Sequence, residues 1–384
     1  MLNKNMNKIE KNNTFSLVTK KINAYKKAHP ENNIVSLGIG DVSKPVCKPV
    51  IEAMHKAVDD LADMKTFQGY GAYYGLPSLR KLIAENDYKD FGFSIDEIFV
   101  GCGTKTDSTS ILELFDKNAK ILVGQPMYPI YKNAAYAMSR NVYIAPQNKN
   151  NKMAIPSEHY DIIYLVSPSN PTGEVLNKKE LSAWVKYALK ENAVILYDNV
   201  YEAFIHTPGL PHSIYEIKDA KKCAIEFRSY SKKASFTGLR CSYFVLPKEL
   251  GNGIDEIWKE RTINRFNGAS YVAQIGAEAT YSKKAQRIIT KNMEDYRKNA
   301  ELLRKGFEDL GFKVTGGVDA PYLWIKTNKD SWVLFDEYLE KLEVIITPGA
   351  IFGEGSRNYF RVSALGSRET CKQALERIRK YYEE

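Results

Sequence analysis

The chain has 384 residues, 44% hydrophobic and 26% charged, with 24 Gly and 15 Pro, the composition of a globular protein long enough for two domains of ordinary size. Its mean hydropathy is −0.39, and no apolar run approaches the roughly 18–20 residues of a membrane span, so disordered, fibrous and membrane-spanning classes are excluded. The formal net charge of +9 raises nucleic-acid binding, but no RRM, KH or zinc-finger signature accompanies it. Seven Lys against a single acid, Glu10, fall within residues 1–30, which predicts a solvated basic tail on a protein that handles small anionic substrates, without nucleic-acid or membrane partners.

In chain order, residues 34–39 form a short β-rich run. From residue 49 short apolar runs alternate with helical periodicity, the pattern of α/β units on a mostly parallel sheet. A helix over 49–62 sets Val50, Met54, Ala57, Val58 and Leu61 on one face. Strands are predicted at 97–101, 120–124, 161–166, 193–197, 223–228 and 242–246. Between the fourth-last and third-last of these, a helix over 178–190 aligns Leu181, Trp184, Val185 and Ala188. A helical stretch over about 254–310 then leads into a separate α+β unit with a helix near 331–342 and a terminal helix. The run 34–39 joins that unit, giving a large domain over 49–287 and a small one from 1–48 and 288–384. Their junction, near 285–290, falls inside a helix rather than in a flexible tether.

Five cysteines, Cys47, Cys102, Cys223, Cys241 and Cys371, are scattered without a CxxC pair, which predicts free thiols, no disulfide framework and no metal site. The polar start lacks an apolar signal segment and transit-peptide character, making the cytoplasm the expected location.

Four polar landmarks follow predicted strands, where open α/β sheets place their ligands. They are Gly103-Thr104-Lys105, the turn from Ser167 through Asn170 to Gly173, Asp198-Asn199-Val200-Tyr201, and Ser229-Tyr230-Ser231-Lys232. Singly, each has an ordinary explanation: a Pro/Asn/Gly turn, a helix cap, a surface lysine. Their order is more telling, with 28 residues from Asn170 to Asp198, 34 on to Lys232 and 8 more to Arg240. In that order and spacing they resemble the class I/II aminotransferases of fold type I.

The resemblance implies an α/β fold, with a large domain built on a mostly parallel central sheet plus a smaller α+β domain, and pyridoxal 5'-phosphate as cofactor. That chemistry needs an amine that bonds the cofactor and carries a proton to and from the substrate α-carbon. Lys232 takes this role, since the eight-residue step to Arg240 fits the family pattern from Lys232 and not from Lys233. A carboxylate must keep the ring nitrogen protonated, which falls to Asp198, while Tyr201 and Asn170 bond the phenolate oxygen. The phosphate dianion calls for helix-start N–H groups, hydroxyls and a guanidinium, matched by Gly103, Thr104, Lys105, Ser229, Ser231 and Arg240. Tyr128 matches the aromatic that stacks on the ring. Arg361 matches the arginine that grips the substrate α-carboxylate at two points, and the resemblance assigns Gly40 and Asn170 to the substrate as well. Tyr70 corresponds to a tyrosine that reaches the phosphate of a neighbouring subunit, which implies a homodimer with shared sites.

Further segments, 36–41, 224–232, 236–241 and 265–270, are similar to the LL-diaminopimelate aminotransferases, which implies an amino-acid donor, a 2-oxo acid acceptor such as 2-oxoglutarate, and a place in lysine biosynthesis. By that likeness Asn267 reaches the distal end of the substrate in the partner's site. Two departures stand out. Tyr73 occupies the place of the acid expected to meet the distal ammonium, and the loop 101–105 differs from the family's usual Asp-Gly-Ala-Lys. A family member with a different, aromatic or other, donor therefore stays open, as do a lyase on the same fold and a non-catalytic regulator. Arg361 favours transamination, because a decarboxylase leaves the α-carboxylate free to depart.

Overall fold

The structure, a computed structural model, describes residues 3–9, 14–38, 40–147 and 152–383. It opens with helix α1 (Phe15–Ala28), strand β1 (Val35–Ser36), and helices α2 (Lys48–Asp60) and α3 (Pro77–Asp87). Next come β2 (Ile98–Gly101), α4 (Thr104–Ser110), β3 (Ile121–Val123), α5 (Ile130–Ala137), β4 (Val142–Ile144), β5 (Ile162–Val166), α6 (Lys178–Glu191), β6 (Val194–Asp198), β7 (Ala224–Ser229), the short α7 (Tyr230–Lys233) and β8 (Ser242–Val245). Helices α8 (Ile254–Arg265), α9 (Tyr271–Ala279) and α10 (Lys283–Asp309) follow. The chain ends with β9 (Val314–Gly316), β10 (Tyr322–Lys326), α11 (Ser331–Leu342), β11 (Val344–Ile345), β12 (Thr347–Pro348), β13 (Tyr359–Ser363) and α12 (Arg368–Glu383).

All six strands predicted for the large sheet are present, joined by β4 at the edge, which the sequence reading lacked. The order is β2-β8-β7-β6-β5-β3-β4, with β8 antiparallel to both its neighbours and the other adjacent pairs parallel. Strands β6 and β7 are buried almost end to end, as expected where helices cover both faces of a parallel sheet, and this is why their sequences run apolar instead of alternating. Because β2, β3, β5, β6 and β7 point the same way, their carboxyl ends share one edge. The four polar landmarks are therefore gathered along it.

A second, four-stranded sheet has the order β12-β13-β10-β9, and β1 pairs with β11. It has its own core around Leu323, Phe335, Tyr338 and Phe360. Helix α10 feeds both cores: Ala285 and Ile289 pack into the large one, Ala300, Leu303 and Phe307 into the small one. The predicted helical stretch is three helices, interrupted around Gly268, whose φ of +91° favours glycine.

Of the basic tail expected at residues 1–30, residues 1–2 and 10–13 lie outside the described residues, and residues 15–28 form α1, which half-buries one face, so that part is corrected. Val18, Ile22 and Tyr25 pack on the small core, Lys21 pairs with Asp336 at 2.8 Å, and Lys20, Lys26 and Lys27 face solvent. The apolar i, i+4, i+7 spacing explains it; dense lysines on the opposite face masked it. All five cysteines are free, and no described helix is long and apolar enough to cross a membrane.

Candidate active site

A cavity of about 690 Å³ opens where the shared strand edge meets the small sheet. Of the residues singled out from the sequence, Gly40, Thr104, Lys105, Tyr128, Asn170, Asp198, Tyr201, Ser229, Ser231, Lys232, Arg240 and Arg361 line it. Gly103 abuts it through Arg240.

Lys232 sits in the single turn of α7, whose start is capped by the Ser229 hydroxyl accepting from the Ser231 N–H at 3.0 Å. Its Nζ reaches across the cavity and donates to the Gly40 carbonyl. A Cβ on Gly40 would lie 2.7 Å from the Tyr322 hydroxyl, so glycine lets the two walls close to this distance.

Asp198 ends β6 and is fully buried. Burial pushes its carboxyl up to about 6, although the Tyr131 hydroxyl, donating at 2.6 Å, and the Val200 N–H hold it down. No described cation pairs with it. A buried carboxylate of this kind is costly unless a positive charge arrives, and a protonated pyridine nitrogen would be such a charge.

Arg361 lies on β13, 2% exposed, and likewise has no carboxylate partner among the described residues. It donates to Asn170 Oδ1 at 2.7 Å and the Gly38 carbonyl at 3.0 Å, while its Nε is buried without a partner. The rings of Tyr322 (4.4 Å), Phe352 (5.2 Å) and Phe15 (5.9 Å) surround it, a cation–π shell that softens the cost of the lone charge. An anion of carboxylate size completes this environment.

The third acceptor is the turn ahead of α4. Gly103 has φ +115°, and a Cβ there would stand 2.0 Å from an Arg240 guanidinium nitrogen. The first-turn N–H groups of Thr104 and Lys105 have no intrahelical acceptor, and the buried Ser108 hydroxyl on the cavity wall has no partner among the described residues. Thr104 itself turns its hydroxyl away, donating to the Arg228 carbonyl at 3.1 Å, so it offers backbone rather than side chain. A lone carboxylate, a lone guanidinium and an anion cradle around one lysine fit the pyridoxal phosphate expected from the sequence.

Tyr70, Tyr73 and Asn267 do not line this cavity. Tyr70 is 89% exposed; Tyr73 and Asn267 lie near one another, since Gly268 packs against Ala72. Sequence reasoning missed Tyr131, Tyr322 and Phe15. Tyr131 falls three residues after Tyr128, a spacing that could have flagged it. Tyr322, bonded to the Tyr201 hydroxyl at 2.8 Å, is 121 residues from it and left no local signal. Phe15 was hidden in the lysine-rich start.

A family model described as "Aminotransferase class I and II" matches residues 32–378. LL-diaminopimelate aminotransferase from Parabacteroides distasonis is 42% identical, with 99% of each chain covered; that of Agathobacter rectalis is 43% identical, covering 98% of this chain and 99% of its own. The solved L,L-diaminopimelate aminotransferase from Chlamydomonas reinhardtii superposes with a TM-score of 0.93 at 33% identity, covering 100% of this chain and 98% of its own. Likeness of this extent, along nearly the whole length and in the same fold, makes the chain a member of the class I and II aminotransferases, pyridoxal-phosphate-dependent transaminases of fold type I.

Proposed function

We propose that the chain transfers the amino group of LL-diaminopimelate to 2-oxoglutarate, acting as a homodimer with shared sites. The observation that carries the transaminase site is Arg361, a buried cation without an acid partner, across the cavity from Lys232. The choice of donor rests on the named relatives.

When bound, the cofactor supplies an electron sink that stabilises the carbanion formed at the substrate α-carbon. Lys232 would hold the cofactor and would move the proton at the substrate α-carbon. Asp198 would balance the charge of the ring nitrogen, and Tyr201 and Asn170 would bond the phenolic oxygen. Arg361 orients the α-carboxylate so that the proton to be removed faces Lys232. Gly103, Thr104, Lys105, Ser229, Ser231 and Arg240 would hold the phosphate, and Tyr128 would cover the ring. We take 49–287 as the cofactor domain and the remainder as the small domain that brings in Arg361.

The dimer is supported by Met64, Phe67 and Tyr70, exposed by 95%, 60% and 89% in one loop, a solvent-facing cluster of large apolar side chains suited to a second copy. Tyr70, Tyr73 and Asn267 would then serve the partner's site.

A second reading, an uncharged or aromatic donor, is favoured by Tyr73 alone. The deciding assay is kcat/KM for LL-diaminopimelate, lysine, phenylalanine and glutamate in wild type and Tyr73→Glu. Our proposal expects LL-diaminopimelate to lead by about tenfold or more, with its rank unchanged in the variant. A phenylalanine preference that Tyr73→Glu cuts, while diaminopimelate turnover rises, would establish the second reading.

A further inference from the structure

Behind the turn that carries Lys232 lies a buried charge cluster for which the proposed reaction has no use. Lys233 Nζ stands 3.3 Å from Asp87 Oδ1 and 3.6 Å from Glu202 Oε1, and all three side chains are 15% exposed or less. Asp87 Oδ2 also accepts from the Tyr243 hydroxyl at 2.7 Å and the Tyr281 hydroxyl at 2.6 Å. Tyr281 in turn meets Tyr230 at 2.8 Å. Beside them Arg228 donates to Glu226 at 2.6 Å, and Tyr88 donates to the same carboxylate at 2.9 Å.

The placement matters more than the number of charges. Successive residues of a helical turn diverge by roughly 100°, so Lys232 enters the cavity while Lys233 points into the cluster behind it. Glu202 directly follows Tyr201, whose hydroxyl meets that of Tyr322. One ammonium therefore ties the lysine turn, the Tyr201 segment and the end of α3 together. Resting on the site reading above, we infer that Lys233 is a positioning residue that holds Lys232 and Tyr201 in register through Asp87 and Glu202. Burial alone would raise the Asp87 carboxyl, yet Lys233, Arg228 and the two tyrosines bring it below its usual range, consistent with a fully engaged pair. A buried ion pair of this kind is often no more stabilising than apolar groups of the same size.

The test is a pH titration of the visible absorption of the cofactor-loaded enzyme, with kcat measured alongside. A hydrogen bond from Tyr201 to the cofactor's phenolic oxygen disfavours a proton on the Lys232 nitrogen, so releasing Tyr201 raises the midpoint. The charged groups facing Lys233 are Asp87, Glu202 and Arg228; Tyr230, Tyr243 and Tyr281 surround Asp87, and Glu226 and Tyr88 surround Arg228. Lys233→Met should raise the midpoint by about one unit and lower kcat about tenfold, while Lys233→Arg should stay at the wild-type midpoint. The double variant Lys233→Met, Asp87→Asn keeps the cluster's net charge and relieves the unpaired carboxylate. It stays shifted if Lys233 positions Tyr201, and returns to the wild-type midpoint if only charge balance or folding was affected. Wild-type midpoints in both methionine variants, or in the double variant alone, overturn the inference. A visible band that survives borohydride in wild type contradicts the underlying site reading instead.

Discussion

Replacing Arg361 by lysine separates substrate binding from cofactor binding. The guanidinium holds Asn170 Oδ1 and the Gly38 carbonyl with two nitrogens while its Nε stays unpartnered, so it can present two parallel N–H groups to a carboxylate. An ammonium on a shorter stem is a point charge and gives up one of those bonds. A charge-assisted hydrogen bond contributes about 1.5–3 kcal/mol, and each 1.4 kcal/mol is about tenfold. KM for donor and acceptor should therefore both rise roughly ten- to hundredfold, since both carry the α-carboxylate. Cofactor affinity should change little, because Arg361 meets the cofactor-holding groups only at Asn170 and those around Asp198 and Gly103 are untouched. Steady-state kinetics with both substrates varied, beside a cofactor titration of the resolved enzyme, reads the two effects separately. A KM within about twofold of wild type, or loss of the cofactor with KM unchanged, would refute the assignment.

Gly103→Ala should weaken cofactor binding by about tenfold or more, because a side chain at φ +115° is strained and drives its Cβ into the Arg240 guanidinium; titration of resolved enzyme checks it, and wild-type affinity would contradict it. Asp198→Asn should have opposite effects on the empty and loaded protein. The Asp198 carboxyl titrates near 6 in the fold against an ordinary 3.8, so its folded state holds the proton more tightly and stability is lost as pH rises from about 4 to about 6. Above that window the cofactor-free asparagine variant should melt higher than cofactor-free wild type, with the advantage gone at pH 4. Its cofactor affinity should fall, as the ring nitrogen loses its counter-charge; a destabilised empty variant at pH 8 with normal affinity would count against this account.

The strands and the four landmarks could be read from the sequence because their signals are local. Apolar runs such as 194–197 are what a sheet covered on both faces requires, and a ligand edge needs polar turns directly after them. Asp198, Lys232 and Arg240 belong to one contiguous stretch of the fold and so kept a fixed spacing. Long-range pairings left no such trace: Tyr322 on Tyr201, or Phe15 and Phe352 around Arg361. Edge strand β4 has only three residues, two of them exposed, too short for a periodic signal. Helix α1 was obscured because lysines supply its solvent face, and composition outweighed periodicity in the reading. Tyr70, Tyr73 and Asn267 lie on the surface assigned above to the proposed dimer, and a single chain shows only their exposure.

The central claim is that Lys232, and not its neighbour Lys233, bonds the cofactor. Reduction of the loaded enzyme with borohydride, followed by fragmentation of the peptide spanning residues 229–240, locates the added mass directly. The mass should sit on Lys232, and Lys232→Ala should fold normally, carry no reducible cofactor and not transaminate. Mass on Lys233, or a Lys232→Ala enzyme that still transaminates while Lys233→Ala does not, would contradict it.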